Sequence, residues 1–573
     1  MPIDDQEEGP AVDPSADRDT SGLDRSRREF FKRAGATGAL ASAASLGLGG
    51  LVLPAGVEAA GVGPLKAATR RVRVFRTRVQ AARSHLLEKR ALPIDNGDEQ
   101  RYPDRRASFS KSLPHNELGE VDSAAYAALL LALGSGDPAH FEAIPLASGA
   151  GRRLANPQAA YAMDMTGTDS HATALEPPPA FASAEAAAEA GEVYWLALTR
   201  DIPYRNWATD GAIAAAVADL NGFSATVGPK DNGLVTPATL FRGEAPGALI
   251  GPYLSQLLWL DVPYGPTTIE QKYLAPLPGR DFMTNYGEWL AMQRGAEPVE
   301  TIIAEAAPTY IRNNRALGDY VHMDAVFQAY LNAALIMADL GPDALDRGNP
   351  YLGSGTQYGF VTFGIAHILD MVTKAARIGL EGAWFHKWLV HRRLRPEVYA
   401  ARVENELNGS KPYGLHPDIL SSQAVTEVLQ RNGNRLLPQA FPEGSPTHPS
   451  YPAGHASLSG ACATVLKAVF DEDFVIPDPV QASEDGLVLE TWTGSDLTLG
   501  NEVDKLATNI AIARCAAGVH YRSDNRGLRV GEAQAIGMLR DYSLTYGEAF
   551  DGFTLTRFDG TRIRIVDGDV MPA

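Results

Sequence analysis

Three short stretches of this sequence each set basic residues beside a helix breaker. Residues 387–397 read KWLVHRRLRPE, with Lys387 and Arg395 eight apart and Pro396 next. Residues 445–470 read SPTHPSYPAGHASLSGACATVLKAVF, in which prolines stiffen the approach and Pro452 to His455 reads as a helix N-terminus. Residues 513–524 read ARCAAGVHYRSD, with Arg514 and His520 on either side of Gly518. If the three converge, Lys387, Arg395 and Arg514 bring three positive charges beside the helix start at Gly454. The first amides of a helix lack internal partners, and the macrodipole adds roughly half a positive charge there. That set suits a tetrahedral oxyanion: guanidinium forks grip paired oxygens, lysine adds a point charge and backbone amides complete the cage.

Each basic residue taken alone reads equally well as a solvated helix end, and Arg392, Arg393 and Arg522 are assigned to that class. Zinc is the competing chemistry for His386, His391, His448, His455 and His520. Spacings of five and seven suit no single helix face, no cysteine or carboxylate falls at a zinc-ligand interval, and the cations would repel a metal ion.

The elements that must position these residues are helical. Helical periodicity recurs over 123–134, 183–200, 208–220, 248–258, 283–294, 318–340, 358–379, 380–392, 417–431, 453–470, 498–517 and 523–545. Pro396 is expected to close the helix carrying Lys387, and Arg514 to end an amphipathic helix with Val503, Leu506, Ala507 and Ile510 on its apolar face. A Pro- and Gly-rich section, roughly 222–282, supplies long loops. The clear strand signal is FTLTRFDGTRIRIV at 553–566, where Asp559-Gly560 marks a terminal β-hairpin. The expected organisation is an N-terminal segment 1–60, an arm 61–122 that begins as a basic helix and continues extended, a helical half 123–350, a helical bundle 351–545 and a tail 546–573.

Segment 1–60 carries SRREFFK at 26–32 and then a weakly apolar Gly/Ala-rich run, the pattern of a cleaved twin-arginine export signal. A periplasmic or extracellular location is therefore expected, with no stable membrane insertion after cleavage. The 573-residue chain is 45% hydrophobic and 21% charged, an ordinary globular balance. Its formal net charge of −18 argues against nucleic-acid or anionic-membrane partners, so any anion site is local. Cys462 and Cys515 lie in apolar runs and read as buried free thiols.

Taken in order, Lys387 with Arg395-Pro396, then Pro452-Ala453-Gly454-His455, then Arg514 with Gly518, His520 and Asp524 resemble the vanadium-dependent haloperoxidases, within the superfamily that includes type 2 phosphatidic acid phosphatases. Likeness to the bromoperoxidase branch extends through FSKSLPHNELGEVD, FEAIPLASGAGRRLANPQAAYAMDM and GPYLSQLLWLDVPYG, covering roughly residues 105–545. The resemblance implies an all-α fold with two four-helix-bundle-like halves, long loops and a vanadate cofactor. Lys387, Arg395, Arg514 and the Gly454 amide would hold vanadate oxygens, and His520 would supply the one protein bond to the metal. His455 would be the acid–base group, Lys387 would polarise bound hydrogen peroxide, and Asp524 would orient a histidine.

The implied reaction is oxidation of a halide ion, bromide or iodide preferred, to a hypohalous acid equivalent that halogenates a small organic acceptor. The resemblance and the arm together imply a homo-oligomer. Ala453 departs from the family, which usually has serine there, and so removes a hydroxyl from the anion cage. His448, five residues earlier, occupies the position at which family members differ in halide choice. An acid phosphatase using His520 as nucleophile and a non-catalytic oxyanion-binding protein remain the alternatives.

Overall fold

The computed structural model describes residues 67–573. Segment 1–60, with its export-signal pattern, and residues 61–66 lie outside them. Helix starts follow the capping residues: Asp122, Ser183, Asp210 and Ser422 each accept a hydrogen bond from an amide in the first turn of the helix they precede. The helices pack into two bundles.

One bundle joins Ile365–Phe385, Gly454–Val469, Leu499–Ala516 and Gly527–Ser543. Its helices approach closely because glycine faces backbone: a Cβ on Gly460 would strike the Leu528 carbonyl, and one on Gly531 the Ser457 carbonyl. Leu499–Ala516 is buried on every face, not amphipathic as its apolar positions predict. Its polar positions tolerate burial because Lys505 pairs with Glu502 and Asp504 pairs with Lys467.

The other bundle is centred on the buried helix Ala184–Thr199, against which Gly211–Asn221, Pro396–Leu407 and Gln423–Asn432 pack. Two of these helices come from beyond residue 350, so the bundles interleave along the chain. Residues Phe75–Ala573 form one compact unit.

Several elements differ from the periodicity. The expected helix 248–258 resolves into two 3₁₀ turns, Pro246–Leu249 and Gln256–Leu258, separated by Gly251 and Pro252. The span 318–340 splits into Asn314–Tyr320 and Gln328–Asp339. Helices expected at 358–379 and 380–392 are one helix with a π-helical end, and Pro396–Leu407 is a helix the periodicity does not reveal. The terminal hairpin Phe553–Thr556/Arg562–Val566 gains a third antiparallel strand, Asp569–Pro572. Short hairpins also occur at Val262–Ile269 and Val480–Thr491. Within the arm, residues 107–113 are buried rather than extended on the surface, and Lys111 pairs with Glu397. Both cysteines are buried free thiols, and no described helix is long and apolar enough to cross a membrane.

Candidate active site

Lys387 lies in the π-helical turn His386–His391 that ends helix Ile365–Phe385. π-Turns inside helices are rare and cluster at functional sites. Arg392 then adopts a left-handed conformation (φ 36°), which reverses the chain and delivers Arg395 as the extended N-cap of helix Pro396–Leu407. Pro396 therefore opens a helix and does not close one. Its fixed φ and missing N–H suit the first helical position, while the residue before it stays out of the α region.

Arg395 is wholly buried and reaches both other motifs. Its Nε and Nη2 donate to the His448 carbonyl at 3.0 and 2.9 Å, and Nη1 donates to the Val519 carbonyl at 2.7 Å. Nη1 also lies 2.9 Å from His520 Nε2, and Nη2 lies 3.0 Å from His448 Nδ1. Because a guanidinium only donates, both ring nitrogens are acceptors here. Lys387 Nζ donates to the carbonyls of Pro449 and Ser450 at 2.7 and 2.8 Å, which leaves its third proton uncommitted. Arg514, in the last turn of its helix, donates through Nη1 to the Val321 carbonyl, lies over the Phe441 ring and buries an Nε without a partner.

These three cations are exceptional. Buried Lys111, Arg393, Lys467, Lys505 and Arg522 each pair with a carboxylate. Among the described residues, Lys387, Arg395 and Arg514 pair with none. Buried Arg402 also lacks a carboxylate, but it lies over the Tyr413 ring and donates to the Leu118 and Gly119 carbonyls, whereas Lys387, Arg395 and Arg514 lie within one another's field. Burial pushes Lys387 well below the ordinary lysine value, and Arg395 and Arg514 add to that shift. Burial likewise lowers Arg395 and Arg514. Buried like charges without a counter-ion are costly, and an anion among them offsets that cost.

The helix Gly454–Val469 starts beside this cluster. Its N-cap Ala453 makes no side-chain cap, and the amides of Gly454, His455 and Ala456 donate to no acceptor among the described residues. The Ala453 amide itself donates to the Asp524 carbonyl, tying the second motif to the third.

Beyond the left-handed Gly518 (φ 86°), His520 is buried with Nδ1 2.7 Å from Asp524 Oδ2. Asp524 also accepts from Ser450 Oγ at 2.5 Å and from Arg393 Nη1 at 3.0 Å. Burial would raise its carboxyl, but the hydrogen bond from His520, the Arg393 charge and Ser450 outweigh it and hold it well below the usual range. An ionised Asp524 keeps the proton on Nδ1 and leaves the Nε2 lone pair facing the cationic cluster. Burial and Arg395 lower the His520 ring well below its ordinary value, so it is neutral. His455 Nε2 lies 3.1 Å from Asp324 Oδ2, and Nδ1 has no partner among the described residues. Burial and Arg514 lower this ring too, against the pull of Asp324.

The structure thus brings together Lys387, Arg395, His448, Ala453, Gly454, His455, Arg514, His520 and Asp524. Asp524 orients His520. Arg392, Arg393 and Arg522 are not solvated helix ends: Arg392 pairs with Glu99, Arg393 with Glu189 and Asp524, and Arg522 with Glu192. Their partners lie 131 to 330 residues away, where local spacing gives no hint. Asp324, outside every motif, and Ser450, inside the 445–470 stretch but without a signal of its own, also belong to the site. Among the described residues no group of three or more His, Cys, Asp or Glu could hold a cation.

The arrangement fits a multiply charged oxyanion: unpaired buried cations, free helix amides, an unsatisfied Arg514 Nε and one imidazole lone pair converge. Comparisons with known proteins agree. A family profile described as the VCPO second helical-bundle domain matches residues 422–541. A vanadium-dependent bromoperoxidase of Ascophyllum nodosum is 37% identical over 517 residues, covering 86% of this chain and 91% of the relative. One of Corallina officinalis is 34% identical over 587 residues, covering 86% and 98%. The homohexameric structure of the second vanadate-dependent bromoperoxidase from Ascophyllum nodosum superimposes with a TM-score of 0.85 at 30% identity, covering 93% of this chain and 96% of that one.

Proposed function

The chain belongs to the vanadium-dependent bromoperoxidase family, and we propose that Lys387, Arg395, Arg514 and the amides of Gly454, His455 and Ala456 hold its vanadate, with His520 Nε2 as the protein ligand. The activity is vanadate-dependent oxidation of halide by hydrogen peroxide: X⁻ + H₂O₂ + H⁺ gives HOX and water. Bound vanadate supplies the Lewis acid that activates peroxide toward halide. The rest of the work belongs to side chains that are already in place.

Arg395 now donates to His520 Nε2, so ligation there requires that guanidinium proton to turn toward an anion oxygen. Asp524 fixes the His520 tautomer and stays ionised throughout. Lys387 holds its third proton ready for an oxygen that gains negative charge, in a site whose low polarity strengthens the bond. His455 is neutral, with Nε2 tied to Asp324 and Nδ1 free to take the proton that peroxide loses. It can return that proton to the departing water. Burial removes competing solvent from Lys387, Arg395 and Arg514, whereas His455 is one-fifth exposed and meets the incoming reactants.

The observation that carries this reading is the convergence of three buried, carboxylate-free cations on one oriented imidazole. Monochlorodimedone bromination with added vanadate, run beside p-nitrophenyl phosphate hydrolysis on vanadate-free protein, tests it. Bromination without phosphatase turnover is the expected result; the reverse overturns it.

Two further assignments belong to the same reading. The 26–32 motif supports export, tested by whether replacement of Arg27 and Arg28 by lysine retains the protein in the cytoplasm. The structural neighbour supports a homo-oligomer, tested by light scattering.

A further inference from the structure

A cavity of about 610 Å³ opens beside the cage. Its lining includes Asp324, whose carboxylate holds His455 Nε2 at 3.1 Å, so a single side chain links the cavity to the acid–base histidine. The Tyr273 and Tyr320 rings form part of its wall, with centroids 6.3 Å apart and planes tilted by 54°. Met323 is 86% exposed at its rim, where an apolar guest would cover it. A volume of this size suits a one- or two-ring molecule.

Its charge is one-sided. Glu270, Glu300, Asp319 and Asp324 line it against Lys272 and His322, and both of these are already engaged, Lys272 by Glu270 and His322 by Glu443, each at 2.7 Å. Asp324 is engaged by His455, whereas the Asp319 carboxylate accepts no hydrogen bond and forms no ion pair among the described residues, its neighbour His322 being committed to Glu443. The Tyr320 hydroxyl is buried without a hydrogen-bond partner. Tyrosine faces and an unpaired carboxylate together suit an alkylammonium group on the side chain of an aromatic ring.

We propose that this cavity is the acceptor subsite, and that it selects electron-rich aromatic rings carrying an alkylammonium side chain over aromatic carboxylates. The proposal rests on the halide-oxidising function above. The step served is Ar–H + HOBr → Ar–Br + H₂O. A ring electron pair forms the C–Br bond, the Br–O bond breaks with its pair on oxygen, and the ring proton and hydroxide leave as water.

Tryptamine and indole-3-acetate share one ring and differ in charge, so they test the subsite. Calorimetric titration of the vanadate-free full chain is expected to show saturable tryptamine binding and none of indole-3-acetate. Asp319→Asn should weaken tryptamine about tenfold, the scale of one lost charge-assisted bond. The exposed change Met323→Lys should weaken it as well, and covers the case in which Asp319→Asn folds poorly. In equimolar competition with bromide, peroxide and vanadate, the wild-type protein should brominate tryptamine in excess of the ratio given by reagent hypobromite. Asp319→Asn should return that ratio to the reagent value while triiodide formation from iodide, which needs no organic acceptor, stays unchanged. A wild-type ratio equal to the reagent's, or equal binding of the two indoles, overturns the subsite. Absence of triiodide formation in the wild-type protein fails the halide-oxidation reading instead, and the titration still decides the subsite.

Discussion

Asp524 Oδ2 sits 2.7 Å from His520 Nδ1, and the same carboxylate takes hydrogen bonds from Ser450 and Arg393. One buried anion therefore fixes a ring tautomer, anchors the 448–452 loop and neutralises an arginine outside the cage. The lone pair on His520 Nε2 faces Lys387, Arg395 and Arg514 because Nδ1 is already committed.

Replacing His520 by alanine should abolish bromination while far-ultraviolet circular dichroism stays native. Asp524→Asn removes the charge that holds the tautomer, and vanadate affinity should fall roughly 10–100-fold, as for other carboxylates behind a metal-bound histidine. Reconstitution of vanadate-free protein, titrated by activity, measures both. Near wild-type activity of His520→Ala at saturating vanadate would remove it from the role of ligand.

Asp324 holds His455 from a position 131 residues earlier in the chain. Its charge raises the His455 ring, which burial and Arg514 lower. Asp324→Asn should thus lower the ring further. With the neutral ring as the proposed base, the acid limb of the rate profile should move to lower pH, and turnover should drop tenfold or more, roughly the worth of a positioned base. An acid limb that stays in place counts against His455 as the base.

Three histidines outside the cage give the stability profile its sign. Burial lowers His386 to about 4, His115 to about 3 and His391 to about 2. Unfolded, each titrates near 6.5, so below that pH the unfolded chain binds more protons than the folded one. Stability is fully present above pH 6.5 and is lost as pH falls toward each folded value, at roughly 1.4 kcal/mol per histidine per pH unit. Urea midpoints should fall steadily from pH 6.5 to 4.5, and a flat profile there would contradict neutral burial.

The parts of the site legible in the sequence are those marked by backbone chemistry. Pro452-Ala453-Gly454-His455 announces a helix start, and Gly518 announces the turn before His520. What escapes the sequence is what burial pairs across distance. Helix Pro396–Leu407 hides because Glu397, Arg402, Glu404 and Asn405 are buried polar residues, which break the apolar period that would reveal it. Lys111 for Glu397 and Glu189 for Arg393 are supplied from 286 and 204 residues away. Nor does composition signal the π-turn that sets Lys387, since π and α turns use the same residues and differ only in register.

Ala453 tests the cage from the side of a missing atom. It is fully buried against Ala456, Ala511 and Leu528, with its amide tied to Asp524 and no side-chain cap. Ala453→Ser adds one hydroxyl at the helix start, beside the three free amides. A hydrogen bond to a charged group contributes about 1.5–3 kcal/mol, so vanadate should bind one to two decades more tightly. An unchanged or weaker dissociation constant would mean that the hydroxyl turns back to cap its own helix.

His448 touches the cage through Arg395. Its Nδ1 accepts from Nη2, its carbonyl accepts from Nε and Nη2, and its ring lies 4.9 Å from that of Trp384. Nδ1 also approaches the Pro449 carbonyl at 3.2 Å, but as an acceptor it cannot bond there, so the residue does more than cap its loop. Burial, Lys387 and Arg395 push its ring well below the ordinary value, and the neutral form draws guanidinium protons that would otherwise face the anion. A less polarised oxidant follows. Chloride is harder to oxidise than bromide or iodide, so the wild-type protein should turn over bromide and iodide with little chloride near neutral pH. His448→Phe frees one Arg395 N–H for an anion oxygen and should raise chloride turnover relative to bromide. Steady-state rates with the three halides at matched concentrations decide it. Comparable chloride and bromide rates in the wild-type protein would sink the argument, and an unaltered halide ratio in His448→Phe would leave His448 a role in positioning Arg395 alone.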